Sequence, residues 1–295
     1  MKISTKTNTI IIVSIMTPII FLLLAGCGKQ QKQENAVQIK GSDTMVNLGQ
    51  AWAEAYMKRY PDISIAVTGG GSGTGITALI NNTCDIAEVS RKMTGEEIQL
   101  ARSNGFDPYE ITVALDGLAV VVNPSNPISQ LTIDELADIF TGKIKNWKDV
   151  GGNDEKIVLL SREVNSGTHV YFKEHVLRKG NLEGTEEFAP EALLLPSSQA
   201  IADEVSQNTA AIGYYGMGYI TQKEKALKIA KDKNSEFVAP TLENVINNSY
   251  PISRPLMVYT RGNPTGIVKE FIDFILSPDG QAIVKKLDFV PIRNL

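Results

Sequence analysis

Short β-branched runs and amphipathic helical segments alternate along most of this chain, and that alternation narrows its fold more than any other feature. Val37 to Lys40 reads as a strand, Asn47 to Arg59 as a helix, Ile63 to Thr68 as a strand and Gly75 to Asn81 as a helix. The pattern returns further on. Ile157 to Ser161, Ala210 to Tyr215 and Ser253 to Thr260 read as strands, and Thr168 to Leu177, Gly266 to Leu276 and Pro278 to Lys286 as helices. Thr132 with Glu135 three residues later is a capping box heading a helix that reaches Phe140. Such alternation implies βαβ units around parallel strands, so the expected class is α/β. A longer apolar stretch, Ile111 to Asn123, is broken by Asp116-Gly117 and closed by Pro124 and Pro127.

Three points along this pattern share one design: a strand runs into a Ser/Thr/Gly cluster that opens a helix. They are Gly41-Ser42-Asp43-Thr44-Met45, the run Gly69 to Gly75 around Ser72, and Ser161-Arg162-Glu163-Val164-Asn165-Ser166-Gly167-Thr168. A helix N-terminus carries unpaired N–H groups and the positive end of the macrodipole, which suits an anion. Glycines let the backbone come close, and hydroxyls add donors without bulk. Arg162 adds a planar, permanently charged fork that matches a tetrahedral oxyanion. Taken singly, each cluster is better read as an ordinary helix cap. Taken together, they favour anion binding.

Other chemistries find less support. The glycine-rich run lacks the Gly-Lys-Ser/Thr ending of a Walker loop, and Thr74 stands where a nucleophile elbow needs its last glycine. Ser166 and His169 lack a recognisable third partner for hydrolysis. The two histidines, His169 and His175, are six apart and cannot share a helix face as metal ligands. No metal site or cofactor is expected, and Cys84 reads as a small packing residue.

The amino terminus sets the compartment. Lys2 and Lys6 precede an apolar run, Ile10 to Leu24, that ends in Leu24-Ala25-Gly26-Cys27. This reads as a secretory signal over residues 1–26, and its ending resembles the bacterial lipobox, in which the cysteine is acylated. Cys27 is thus the expected lipidation site, and residues 27–36 read as a polar tether. Such a protein sits on the extracytoplasmic face of the cell membrane, held by its lipid. The formal net charge of −4 becomes more negative once the two leader lysines are lost. An acidic chain argues against nucleic acid as a partner, though not against a small anion held by local dipoles.

The sequence resembles the phosphate-binding proteins of high-affinity phosphate ABC importers, within the type II periplasmic-binding-protein fold. The resemblance covers essentially all of the chain after the tether. It is carried by Gly-Ser-Asp-Thr-Met (41–45), Gly-Gly-Gly-Ser-Gly-Thr-Gly (69–75), Asp85 to Arg91, Asp116 to Pro124, and Arg162 with Asn165-Ser166-Gly167-Thr168. Leu131-Thr132, Ile139 to Lys143, Asn146-Trp147 and Gly151-Gly152 follow the same family.

The resemblance implies two α/β lobes, each with a central mixed sheet, joined by crossing hinge strands. Lobe one would take residues 37–115 and 255–295, and lobe two residues 116–254. The phosphate ligands it implies are Thr44, Met45 (through its backbone N–H), Ser72, Ser90, Arg162, Ser166, Gly167 and Thr168. Ser90 stands where many members place an aspartate that accepts the proton of hydrogen phosphate, and Asp43 is the nearest acidic substitute. The implied partners are inorganic phosphate and ABC permease subunits with a cytoplasmic ATPase, and the protein would act as a monomer without enzymatic activity. A sensory or adhesive lipoprotein, or a binder of another oxyanion such as sulfate, is the alternative.

Overall fold

The computed structural model describes residues 35–181 and 183–292. The signal segment, Cys27 and all of the tether but its last two residues lie outside the described residues.

Strands β1 (Ala36–Gly41), β2 (Ser64–Thr68) and β3 (Ile86–Val89) alternate with helices α1 (Val46–Arg59), α2 (Ser72–Ile80) and α3 (Gly95–Ser103). The chain then crosses on the fifteen-residue β4 (Pro108–Val122) into β5 (Gln130–Thr132), α4 (Ile133–Phe140), β6 (Val158–Arg162), α5 (Gly167–Phe172), β7 (Leu193–Leu195), α6 (Ser198–Gln207) and β8 (Ala211–Gly216). Two short strands, β9 (Lys225–Ala226) and β10 (Lys228–Ala230), and α7 (Leu242–Ile246) precede β11 (Ser253–Arg261). Helices α8 (Gly266–Ile275) and α9 (Pro278–Lys286) close the described chain.

The main sheet runs β2-β1-β3-β11-β4-β8-β6-β7, with β9 also on β4. Parallel pairs β1/β2 and β1/β3 form one half, and β6/β7 and β6/β8 the other. Between them β4 and β11 run antiparallel, so each lobe has a mixed sheet and two long strands serve both. Both faces of each half are apolar. In the first half Ile86 and Val258 point to one core, and Ala87 and Met257 to another. In the second half Val120 and Tyr214 face one side, and Val121 and Tyr215 the other. Period-two alternation with both faces buried is the mark of a sheet covered by helices on each side.

The core changes along β4 itself. Val113 and Ala114 pack with the first half and Leu118 with the second. At the start of β11 the change falls between Ile252, just before the strand, and Leu256 within it. Phe289 packs into the first core and Val290 into the second, where Val290 pairs with Leu115, so the C-terminal segment touches both.

Most elements expected from the sequence are present with ends shifted by one to three residues. Thr132 and Glu135 form the expected capping box. The periodicity does not single out α3 or α6, although α3 carries a capping box of its own, Thr94 with Glu97.

Candidate functional site

The three clusters meet where the lobes touch. In the first, Ser42 N donates to Glu88 O at 2.7 Å, which fastens the loop onto β3. A short 3-10 turn, Asp43–Met45, then leads into α1 and leaves Thr44 buried. Gly71, the residue before α2, lies at φ +91°, a conformation that favours glycine, and a Cβ there would lie 2.8 Å from Asn165 O across the cleft. In the third cluster Ser166 caps α5, its Oγ accepting from Thr168 N.

Hydrogen bonds then cross between lobes. Thr44 Oγ1 and Thr168 Oγ1 are 2.8 Å apart. Asn165 Nδ2 donates to Gly70 O at 2.8 Å, and Asn165 O accepts from Gly73 N at 3.0 Å. Ser90 N donates to Ser72 Oγ at 3.0 Å, and the two hydroxyl oxygens are 3.4 Å apart. Gly167 packs directly on this pair: a Cβ there would stand 2.2 Å from Ser72 Oγ and 2.6 Å from Ser90 Oγ. Thr44, Ser72, Ser90, Arg162, Ser166, Gly167 and Thr168 are thus buried together.

Met45 differs from the reading of the sequence. Its side chain is in the first core, and its N–H already donates to Ser42 O at 3.0 Å. The tight turn that positions Thr44 uses that donor.

Arg162 is almost wholly buried, and its partners explain how a charge is kept there. Nη1 donates to Ser198 Oγ and lies 3.0 Å from Asp43 Oδ2, and Nη2 donates to Pro196 O. Burial pulls this guanidinium below its ordinary value, and the charge of Asp43 opposes the shift. Its Nε has no hydrogen-bond partner. A buried, charged N–H without an acceptor is costly unless an anion completes it.

Asp43 is therefore not the cap of its own helix. Its Oδ2 accepts from Ser198 N, the first residue of α6, at 2.8 Å, and Tyr219 Oη donates to its backbone oxygen. The carboxylate caps a helix of the opposite lobe. Ser197 and Ser198 make a fourth hydroxyl-rich helix start. The sequence carries the signal for it in Pro196-Ser197-Ser198 followed by Ile201 and Val205.

A second arginine escapes the sequence reading. Arg254 on β11 stands opposite Asp116 on β4. Its Nε and Nη2 donate to Asp116 Oδ2 at 3.1 and 2.9 Å, and both side chains are fully buried. Its remaining donors reach Ser90 O and Thr168 Oγ1. Burial raises the Asp116 carboxyl above its usual range, and Arg254 works against the rise. A charged residue amid apolar neighbours in each strand, Asp116 between Leu115 and Leu118 and Arg254 shortly before Leu256 to Val258, was the available signal, since a buried charge needs a partner.

His169 is buried, with Nδ1 3.1 Å from Ser161 Oγ. Burial lowers its pKa to about 4, and nearby Lys173 adds to the shift. Its hydroxyl neighbour is thus Ser161, and Ser166 caps α5 instead. Among the described residues no group of His, Cys, Asp and Glu side chains is placed to hold a metal ion. A cavity of about 340 Å³ lies beside the site at the hinge, lined by Ser90, Met93, Tyr171, His175, Arg254 and Met257 among others.

Comparison with known proteins identifies the family and the fold. Residues 28–279 match the PBP superfamily domain. Phosphate-binding protein PstS of Pseudomonas aeruginosa is 35% identical, the match covering 85% of this chain and 81% of the relative. PstS of Bacillus subtilis is 32% identical over 98% of this chain and 96% of its own length. A Clostridium perfringens crystal structure with bound phosphate, described as a phosphate ABC transporter substrate-binding protein, is 37% identical. It superposes with a TM-score of 0.79, covering 88% of this chain and all of that one. The chain belongs to the PBP superfamily, in the family of the PstS phosphate-binding proteins.

Proposed function

We propose that this protein captures inorganic phosphate between its two lobes and delivers it to an ABC permease driven by a cytoplasmic ATPase. The observation that carries the reading is Arg162: a buried guanidinium with an unpartnered Nε–H, set among hydroxyl-rich helix starts from both lobes. Such a cluster replaces an anion's hydration shell with fixed donors. The relatives' names and the phosphate-bound neighbour support phosphate as that anion. Thr44, Ser72, Ser90, Arg162, Ser166, Gly167 and Thr168 are the proposed ligands, with Met45 contributing once its N–H leaves Ser42.

The protein acts as a monomeric binder without catalysis and is anchored outside the cytoplasm through Cys27. Calorimetric titration with phosphate, sulfate, molybdate and arsenate tests the ligand. Phosphate binding tightest is the expected result, and no binding of phosphate overturns the reading. Cys27→Ser tests the anchor, because loss of the lipid releases the protein from the membrane fraction. A variant that stays in that fraction after signal cleavage overturns the anchor.

A further inference from the structure

Arg254 lies outside the loops that carry the family resemblance, yet it touches more of the site than any ligand named above. It sits on the crossing strand β11, and its side chain is fully buried. One guanidinium edge is spent on Asp116. The other edge meets Ser90 O at 3.2 Å and Thr168 Oγ1 at 3.1 Å, with a longer approach of 3.4 Å to Thr44 Oγ1.

The chemistry of these contacts is one-directional. A guanidinium has donors and no acceptor, whereas a threonine hydroxyl has one proton and two lone pairs. When Arg254 donates to Thr168 Oγ1, it occupies a lone pair and leaves the proton to be given elsewhere. Thr168 and Thr44 share one of their two protons in the 2.8 Å contact between them. An anion entering between the two would receive both. Ser72 is held in the same sense on the other side, since its Oγ accepts from Ser90 N.

We propose that Arg254 is a positioning residue of the anion site: it fixes Thr168, and through it Thr44, as hydrogen-bond donors. The proposal rests on the phosphate reading given above. It also gives the buried pair with Asp116 a purpose beyond joining the strands. Asp116 holds the guanidinium in one orientation, so that its outer edge faces the hydroxyls rather than solvent. Because Thr44 and Thr168 come from opposite lobes and Arg254 from the strand between them, the donor set is complete only when all three meet.

The test is a double-mutant cycle read in phosphate Kd. Removing Arg254 alone would strand the buried Asp116, so the perturbation is the neutral pair Arg254→Gln with Asp116→Asn. The amide oxygen introduced by Asp116→Asn can still accept from Met217 N, as the Asp116 carboxylate does. The pair is introduced into three backgrounds: the unaltered protein, Thr168→Ser and Thr168→Val. Where the hydroxyl remains, in the unaltered and Thr168→Ser proteins, the neutral pair should weaken phosphate by about tenfold, the worth of one charge-assisted hydrogen bond. In Thr168→Val it should cost less than about twofold, because nothing is left to orient.

An equal loss in all three backgrounds overturns the proposal, since a purely structural role would not depend on the hydroxyl. Arg254→Lys keeps the charge facing Asp116 but not the planar fork. It is run through the same backgrounds in case the neutral pair fails to fold, and it must show the same dependence. An unaltered protein that binds no phosphate overturns the functional reading itself; one that binds phosphate with an additive cycle overturns only the role of Arg254.

Discussion

Asp43 in the first lobe and Arg162 in the second are joined across the cleft, with Asp43 Oδ2 3.0 Å from Arg162 Nη1. The contact places a carboxylate beside the buried Arg162 cation, although Ser90 occupies the position where the family resemblance implies an aspartate. A carboxylate can take the proton of hydrogen phosphate and repels sulfate, which has none to give. Asp43→Asn should therefore lower the phosphate-to-sulfate preference by about tenfold or more, as expected for loss of a partly buried charge. Ser90→Asp should raise it. Competition of sulfate against bound phosphate at fixed pH reads both, and an unchanged ratio in Asp43→Asn would assign discrimination to other groups.

Arg162→Ala should weaken phosphate by about 2–5 kcal/mol, because the variant loses a charge inside a closed site and leaves Asp43 without its partner. The effect should appear in affinity far more than in fold. Circular dichroism checks the fold, and calorimetry the affinity. Near-native affinity in a folded variant would remove Arg162 from the site.

Gly167 tests closure separately from charge. Its missing Cβ is what lets α5 settle on Ser72 and Ser90, at a projected 2.2 Å from Ser72 Oγ. Gly167→Ala should hold the lobes apart, with phosphate affinity down by about a hundredfold, the scale of a core overpacking cost. Small-angle scattering provides the second reading. The parent protein should compact when phosphate-free protein is saturated, and the alanine variant should not. Equal compaction in both would show that the lobes accommodate the methyl group.

Glu88 is buried on β3, and its Oε2 lacks a partner. Gly49 of α1 leaves the room it occupies, since a Cβ there would lie 2.3 Å from Glu88 Oε1. Burial raises this carboxyl well above its usual range, so the folded protein keeps a proton that the unfolded chain releases. Stability from this group is complete below the unfolded value near 4.5 and is lost as pH rises toward the folded value. The slope reaches at most about 1.4 kcal/mol per pH unit. Glu88→Gln removes that slope, so denaturant unfolding at pH 5 and pH 8 should show the variant gaining on the parent at the higher pH. A constant difference between the two proteins would mean that Glu88 is ionised in the fold.

What the sequence determined by itself was local. Alternating strands and helices, the capping box of Thr132 with Glu135 and the three Ser/Thr/Gly clusters depend on periodicity and on residues within a turn of one another, and the fold carries them all. The choice of partners was decided by tertiary structure. Asp43 could be read as a cap from its neighbours, but the helix it caps is α6, reached only when the lobes meet. Met45 could be read as a free donor until the turn beneath Thr44 consumed its N–H. Arg254 and Asp116 could be placed on crossing strands, yet their pairing is set by the register of β4 against β11. Sequence pattern specifies which face of an element is buried. Which side chains then share a buried charge follows from how distant strands are aligned, and no local spacing records that alignment.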